Sequence, residues 1–286
     1  MINKSLIFCL FSLFAAGMNS ATMTRTAHAD EMPDCVPNEM PGVDGYITAQ
    51  GKTIHYVTSG KPGAPKVIFV HGAIGGWESF CKLLKDEGLK ARATMISVDR
   101  AGHGQSDPNL ESSLQAQAEL LLPLMELDDP NQPVIVEGSS YGGAIAARMA
   151  MSADPRIHSV IFAATIADPA LAQKEWYRYI EDLPWVQDFL PHDYFITNGE
   201  ADAEQPELEL MLPLWSQIQA RVTEIQGLAD TSVLPANADF IETQLAQLHP
   251  TIERVPGLDH RIVTHRPDLI RDAINVELDA ISSGQY

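Results

Sequence analysis

The pentapeptide Gly138-Ser139-Ser140-Tyr141-Gly142 could carry nucleophilic chemistry. A strand-like segment precedes it and a run of small residues follows, so the pattern predicts strand, sharp turn and helix with Ser140 at the turn. Its hydroxyl would stand clear of the sheet edge, near the positive end of a helix dipole. Both glycines fit such a turn, because bulk on either side would collide across it. The pentapeptide alone is a weak signal, and an ordinary polar helix cap is the alternative; its context favours a nucleophile.

Two later residues could activate this serine. A serine hydroxyl is a weak nucleophile at neutral pH and needs a base, and the base needs an acid to fix its tautomer. After Ser140, Asp230 and His260 each follow a predicted strand, in the chain order typical of strand-turn-helix nucleophiles. The ends of parallel strands meet at one sheet edge, so we expect all three to meet there. Asp168, which follows the preceding strand, is the alternative acid.

The other histidines have structural interpretations. His71 and His103 lie in glycine-rich turns, where we expect them to satisfy loop backbone, and His265 begins a helix. Asp259 adjoins His260, but sequence neighbours rarely face each other, so a structural role is favoured. No pair of these histidines has metal-ligand spacing, and residues 72–76 lack the Lys-Ser/Thr of a phosphate loop. We expect neither a metal nor a cofactor.

The elements that must position these residues alternate between strand and helix. A hairpin is predicted from strands 45–50 and 53–59, joined at Gln50-Gly51. Further strands are predicted at 66–70, 94–98, 134–137, 160–164, 221–225 and 251–255. Helices are predicted from about 77, at 112–127 with a break near Pro123, after the pentapeptide, at 236–247 and at 266–282. Continuous apolar strands separated by helices predict an α/β fold, a mostly parallel sheet with helices on both faces.

Residues 169–220 break this alternation. Pro184, Pro191, Pro206 and Pro213 interrupt this segment, which holds three of the four tryptophans of the chain, and residues 208–218 keep a helical apolar spacing. We interpret the segment as a small helical cap over the sheet edge. Its aromatic side chains either line a substrate pocket or only hold the cap on the core, and the second role is favoured.

Residues 1–29 are typical of a secretory signal peptide, with Lys4 before a short apolar run. Cleavage is predicted before Asp30, a cut near Ser20-Ala21 being the alternative, and an uncleaved anchor stays open. Residues 30–44, rich in proline, glycine and acids, are predicted to form an extended arm. After export Cys35 and Cys81 could form a disulfide, or both could remain free thiols.

The 286 residues are 45% hydrophobic and 20% charged, which suits one globular domain with an insertion. The formal net charge of -19 disfavours nucleic acid and anionic lipid as partners. It mainly favours solubility. Nothing in the composition indicates an oligomeric state.

Residues 45 to about 282 resemble the α/β-hydrolase superfamily, in the serine-nucleophile branch with a short helical cap. The matching pieces are His71-Gly72-Ala73, 99–106, 138–143, 227–230 and 256–260. The resemblance implies core segments 45–168 and 221–286 around the cap at 169–220. It implies Ser140 as nucleophile, His260 as general base and then acid, and Asp230 as orienting carboxylate. The oxyanion hole is expected from the backbone N–H groups of Ala73 and Tyr141.

A serine nucleophile favours acyl transfer to water over the epoxide and carbon–halogen chemistry of relatives that attack through an aspartate. The leading hypothesis is an exported, periplasmic or secreted ester hydrolase acting on a small-molecule acyl substrate without a cofactor. Amide, peptide, thioester, lactone and carbon–carbon bond hydrolysis by the same residues are alternatives. A binding protein without activity is a hypothesis of another class, which the intact serine, aspartate and histidine disfavour.

Overall fold

The computed structural model describes residues 42–172, 183, 186 and 190–284. The predicted signal peptide, most of the predicted arm and part of the predicted cap lie outside these residues. The aromatic residues Trp176, Tyr177, Tyr179, Trp185 and Phe189 of the cap also lie outside them.

The centre of the described part is an eight-stranded sheet of order β1-β2-β4-β3-β5-β6-β7-β8. Strands β1 and β2 pair antiparallel, as do β2 and β4, and the other neighbouring pairs are parallel. The strands are β1 (Val43–Ala49), β2 (Lys52–Gly60), β3 (Lys66–Val70), β4 (Thr94–Val98), β5 (Val134–Ser139), β6 (Ile157–Ala163), β7 (Arg221–Gly227) and β8 (Thr251–Val255). The predicted hairpin is confirmed, and Gln50 and Gly51 make its turn with positive φ values of 50° and 79°.

Helices connect the strands in the order that the sequence predicts. They are α1 (Cys81–Leu84), α2 (Glu87–Lys90), α3 (Leu114–Leu121), α4 (Tyr141–Ala150), α5 (His192–Met211), α6 (Ala236–Gln244), α7 (Ile262–His265) and α8 (Pro267–Ser282). Short 3-10 turns precede α1 and follow α3, α5 and α6. The turn after α3 begins at Leu122 and carries Pro123, so the predicted break at this proline is confirmed.

The sheet is buried on both faces. Every residue of β3, β4 and β6 is buried, as expected for strands covered on both sides. One apolar cluster packs α3, α4 and α6 against one face, and a second packs α1, α2 and α8 against the other. The predicted mostly parallel sheet with helices on both faces is therefore confirmed.

Several element boundaries differ from the sequence interpretation; β6, for example, begins at Ile157 rather than at 160. Strand β1 begins at Val43, two residues inside the predicted arm, because Val43 and Asp44 pair with Thr58 and Val57 of β2. The first helical turn after β3, Trp77–Phe80, is a 3-10 helix rather than an α-helix.

The described part of the cap is helical and is held by its apolar side. Leu208, Met211 and Trp215 are each at most 2% exposed, and Trp215 packs edge-on against Phe240 at 5.7 Å between ring centroids. For Trp215 the favoured packing role is therefore confirmed. Leu212, which the spacing also placed inside, is 40% exposed.

Cys81 is disulfide-bonded, so the alternative of free thiols is wrong for this residue. The other two cysteines, Cys9 and Cys35, lie outside the described residues. Among the residues that the structure describes, no helix combines the length and apolar character that a membrane span requires.

Candidate active site

Ser140 occupies a strained turn between β5 and α4. Its φ of 55° and ψ of -122° are unfavourable for a residue with a side chain, at a cost on the order of 1–3 kcal/mol. The neighbouring strand stabilises this conformation, because the Ser140 N–H donates to the carbonyl of Ala163 at 3.0 Å. The Gly143 N–H donates to the Ser140 carbonyl, also at 3.0 Å. The half-buried hydroxyl thus lies at the carboxyl edge of the sheet, as the turn pattern predicts.

Two glycines of the pentapeptide are required by close backbone approach. A Cβ on Gly138 would lie 2.4 Å from the carbonyl oxygen of Gly142. A Cβ on Gly142 would lie 2.2 Å from the carbonyl oxygen of Val70 and 2.4 Å from that of His71. These distances confirm the collision expected from the sequence, and they show that α4 lies directly against the end of β3.

The structure brings Ser140, His260 and Asp230 together. Nε2 of His260 lies 3.1 Å from Oγ of Ser140, and its Nδ1 lies 2.8 Å from Oδ2 of Asp230. The Asp230 side chain is fully buried, whereas the imidazole is 29% exposed. The other carboxylate oxygen, Oδ1, accepts the N–H groups of Ser232 and Val233 at 2.8 and 2.9 Å. The carboxylate is thus held from both sides, so its position also holds the imidazole.

The loops that carry Asp230 and His260 are joined to each other. The Ala229 N–H donates to the carbonyl of Leu258 at 2.9 Å, and a Cβ on Gly227 would lie 2.3 Å from that oxygen. Glycine at the end of β7 therefore lets the loop after β8 approach closely. This contact explains how two residues thirty positions apart in the chain meet.

Of the two residues predicted to form the oxyanion hole, Tyr141 follows Ser140 directly and Ala73 follows Gly72, which lies against Ser140. Tyr141 is the first residue of α4, where backbone N–H groups have no partner within the helix. Ala73 follows Gly72, and a Cβ on Gly72 would lie 2.9 Å from Cβ of Ser140. The turn after β3 therefore runs directly past Ser140. The Gly72–Ala73 peptide belongs to this turn.

Sequence reasoning missed a buried cluster beside this turn, which we call the Arg100 cluster: Arg100, Gln117, Glu200 and the carbonyl groups of His71 and Gly72. Arg100 follows β4 and Glu200 lies on the cap helix α5; both side chains are 1% exposed and hydrogen-bonded to each other. Burial alone would raise the pKa of Glu200, but the Arg100 charge outweighs it and lowers that pKa to about 2. The only signal in the sequence was the charge of Arg100 within an otherwise glycine-rich turn.

The structure separates the alternative residues from the site. Asp168 Oδ1 accepts the Ala170 N–H at 2.9 Å, a local turn contact. Asp259 hydrogen-bonds Arg261 and lies 3.3 Å from His265. Neither carboxylate is paired with His260 in the described contacts.

The two histidines of the glycine-rich turns differ. His71 satisfies loop backbone as expected: its Nε2 accepts the Arg100 N–H at 3.1 Å, so the proton is on Nδ1, which donates to the Gly72 carbonyl at 2.7 Å. Burial and then the Arg100 charge lower the pKa of His71 well below its ordinary value. For His103 the described side-chain contacts are with side chains instead: its Nε2 accepts from the Arg100 guanidinium at 3.1 Å and lies 3.5 Å from Glu200.

Two acids that no sequence argument singled out are fully buried near the nucleophile. Glu137 of β5 and Glu224 of β7 are 0% exposed, and among the described residues no side chain pairs with either carboxyl group. Burial raises the pKa of Glu137 well above its ordinary value, and Glu224 raises it further. Burial likewise raises the pKa of Glu224. Burial therefore favours the neutral form of both carboxyl groups.

Another buried histidine, His55 of β2, lies between two carboxylates. Its Nδ1 is 2.7 Å from Asp99 and its Nε2 is 3.0 Å from Asp44. Asp99 also accepts the N–H of Trp77 at 2.8 Å, so this group ties the turn after β3 to β4. Within the described part of the chain, no group of three or more His, Cys, Asp or Glu side chains is arranged to hold a metal ion.

Comparison with known proteins indicates the same class of fold as the sheet and the turn at Ser140. The family described as "alpha/beta hydrolase fold" matches residues 65–205. The chain is 23% identical to epoxide hydrolase 4 of Homo sapiens over 198 residues, 64% of this chain and 54% of that protein. It is 34% identical to methylesterase 18 of Arabidopsis thaliana over 106 residues, 36% of this chain and 40% of that protein. The chain thus spans about half or less of the length of the curated relatives it matches.

Among solved structures, a putative aryl esterase from Burkholderia cenocepacia aligns with a TM-score of 0.68 at 19% identity, over 84% of this chain and all of that one. The sheet order and the strand-turn-helix at Ser140 define an α/β-hydrolase fold. The chain is a member of the α/β-hydrolase superfamily.

Proposed function

We propose that this protein is an exported serine hydrolase that cleaves a carboxylic ester through an acyl-serine intermediate. One observation carries the proposal: His260 Nε2 lies 3.1 Å from Ser140 Oγ, within reach of its proton, while Asp230 holds the other ring nitrogen of His260 at 2.8 Å. Export rests on residues 1–29 alone.

In the proposed reaction, Ser140 Oγ attacks the carbonyl carbon while His260 Nε2 takes its proton. The carbonyl π electrons become an oxyanion that accepts the N–H groups of Ala73 and Tyr141. Collapse of this intermediate expels the alkoxide, which takes the proton from His260. Water activated by His260 then hydrolyses the acyl-serine by the same steps. No cofactor is needed.

The identity of the nucleophile supports acyl chemistry. One relative is an epoxide hydrolase, but the members that open epoxides attack through an aspartate, whereas this chain has Ser140 at that position. The methylesterase and aryl esterase among its relatives favour an ester. Amides, thioesters and lactones would undergo the same attack, so a panel of these substrates ranks the acyl bonds.

The test uses the purified protein, a series of p-nitrophenyl esters and a fluorophosphonate probe. We expect ester hydrolysis and labelling at Ser140, and we expect Ser140→Ala to lower kcat by about 10⁴-fold or more. Ser139→Ala is the matched control, since it removes the neighbouring hydroxyl and should keep most of the activity. Equal losses in the two variants, or a Ser140→Ala protein that hydrolyses esters normally, would refute the assignment.

A further inference from the structure

The Gly72–Ala73 peptide is held from the side opposite its N–H. The Gly72 carbonyl oxygen accepts two hydrogen bonds, from Nη2 of Arg100 at 3.0 Å and from Nδ1 of His71 at 2.7 Å. In a trans peptide the carbonyl and the next residue's N–H point in opposite directions within one plane. Fixing the Gly72 oxygen therefore fixes the direction of the Ala73 N–H.

Arg100 also contacts the other parts of this turn. Its Nε donates to the His71 carbonyl at 2.9 Å, and its own backbone N–H donates to His71 Nε2. The guanidinium carbon lies 5.0 Å from the ring centroid of Tyr141, whose N–H is the other expected oxyanion donor. One buried side chain thus contacts the residues on both sides of the oxyanion hole.

The cap helix holds Arg100 in place. Glu200 of α5 pairs with both terminal nitrogens of the guanidinium, and Gln117 of α3 accepts from Nη1 at 2.8 Å. Gln117 also donates to Glu200 at 3.1 Å, so the carboxylate is fixed as well. A buried arginine that lost Glu200 would keep its charge without a counter-ion, and its side chain would have to move toward water or another partner.

We propose that Arg100 is a positioning residue that orients the Gly72–Ala73 peptide for oxyanion binding, and that Glu200 couples this orientation to docking of the cap. The inference rests on the proposed function. It predicts that a displaced cap leaves the nucleophile in place but removes one oxyanion donor. The expected cost of such a loss is about 10²- to 10³-fold in kcat.

The structural test does not depend on activity. The chain has three Gly-Ala peptides, at 63–64, 72–73 and 143–144, so labelling glycine carbonyls with carbon-13 and alanine nitrogens with nitrogen-15 gives three peptide signals. In Arg100→Lys and in Glu200→Gln we expect the Gly72–Ala73 signal to shift or broaden. The 63–64 signal is the internal control and should stay unchanged.

The kinetic test uses the same variants. We expect kcat to fall at least about 10-fold with KM changed less than about 3-fold, because the lost contact forms in the transition state. Affinity for a trifluoromethyl ketone, which forms an anionic adduct with the serine, should fall in parallel, and affinity for the corresponding alcohol should not. The double variant should be no slower than the slower single one, because both changes act through one peptide.

Arg156→Lys is the matched control, since Arg156 pairs with Asp154 and Glu126 before β6, at the end of the strand opposite the site. If Arg100→Lys does not fold, Glu200→Asp carries the test, because it keeps the charge and withdraws the carboxylate by about one bond. An unmoved 72–73 signal, or a kcat loss no larger than in Arg156→Lys, overturns the inference. A wild-type protein that fails to label or to hydrolyse esters sinks the proposed function instead, and the peptide signal still decides this inference.

Discussion

Asp230→Asn is expected to abolish catalysis while leaving the fold intact. Oδ1 of Asp230 accepts two backbone N–H groups, from Ser232 and Val233, and Oδ2 faces Nδ1 of His260. In the variant, the amide oxygen must face the two backbone donors, because an NH₂ group there would meet two N–H groups. The amide NH₂ therefore faces His260.

This orientation reverses the histidine tautomer. The NH₂ group can only donate, so Nδ1 of His260 must accept and the imidazole proton moves to Nε2. Nε2 then has no free lone pair for the Ser140 proton. The same exchange in a serine-protease triad costs about 10⁴-fold in kcat, which corresponds to about 5 kcal/mol of activation free energy.

The assay is kcat/KM for a chromogenic ester, with the melting temperature measured beside it. We expect activity to fall by about 10⁴-fold and the melting temperature to change by only a few degrees, because both backbone hydrogen bonds to the residue remain. Asp168→Asn is the matched control and should keep its activity, since in the described hydrogen bonds the Asp168 side chain contacts only its own turn. An Asp230→Asn variant with more than a tenth of the wild-type rate would refute the reasoning, as would a larger loss in Asp168→Asn.

Two further substitutions test the packing around the nucleophile. Gly142→Ala places a Cβ 2.2 Å from the Val70 carbonyl, so we expect lower stability and at least about tenfold lower activity in a urea titration and an ester assay. Gly88→Ala is the control: the nearest atom to its Cβ is the Asp86 carboxylate at 3.1 Å and no backbone atom outside its own helix lies within 4 Å, so we expect a much smaller loss than in Gly142→Ala. Burial, and then Glu224, raise the pKa of Glu137, so the folded state binds its proton more tightly and wild-type stability falls as the pH rises above the ordinary glutamate range. The free energy of unfolding of Glu137→Gln, measured relative to that of the wild type, should therefore rise from pH 5 to pH 9. A difference that does not change with pH would contradict the raised pKa of Glu137.

Much of the sheet could be predicted from the sequence, because its strands are continuous apolar runs bounded by glycine and proline. Strands β3, β4 and β8 have the predicted bounds. The meeting of Ser140, Asp230 and His260 was also predictable, since each follows a parallel strand and all such ends share one edge. Their chemical roles remain the subject of the proposed tests.

The Arg100 cluster could not be predicted from the sequence for a physical reason. Arg100 and Glu200 are a hundred positions apart, and their pairing depends on how the cap docks, which no periodic pattern encodes. Glu137 illustrates the same limit at short range. It lies in a strand whose neighbours are apolar, and only the packed structure reveals that no side chain in the described part of the chain pairs with its carboxyl group.

The residues at the strand ends and the residues of the Arg100 cluster are positioned by different physical causes. The strand ends place the serine, histidine and aspartate by topology alone, so this part of the site forms whenever the sheet forms. The direction of a backbone N–H is not set by topology, because a peptide can rotate between two strand ends without moving either of them. A buried side chain that holds the carbonyl of that peptide removes this freedom. Since Glu200 supplies the counter-ion of Arg100 from α5, the proposal makes the orientation of the expected oxyanion donor depend on how the predicted cap docks.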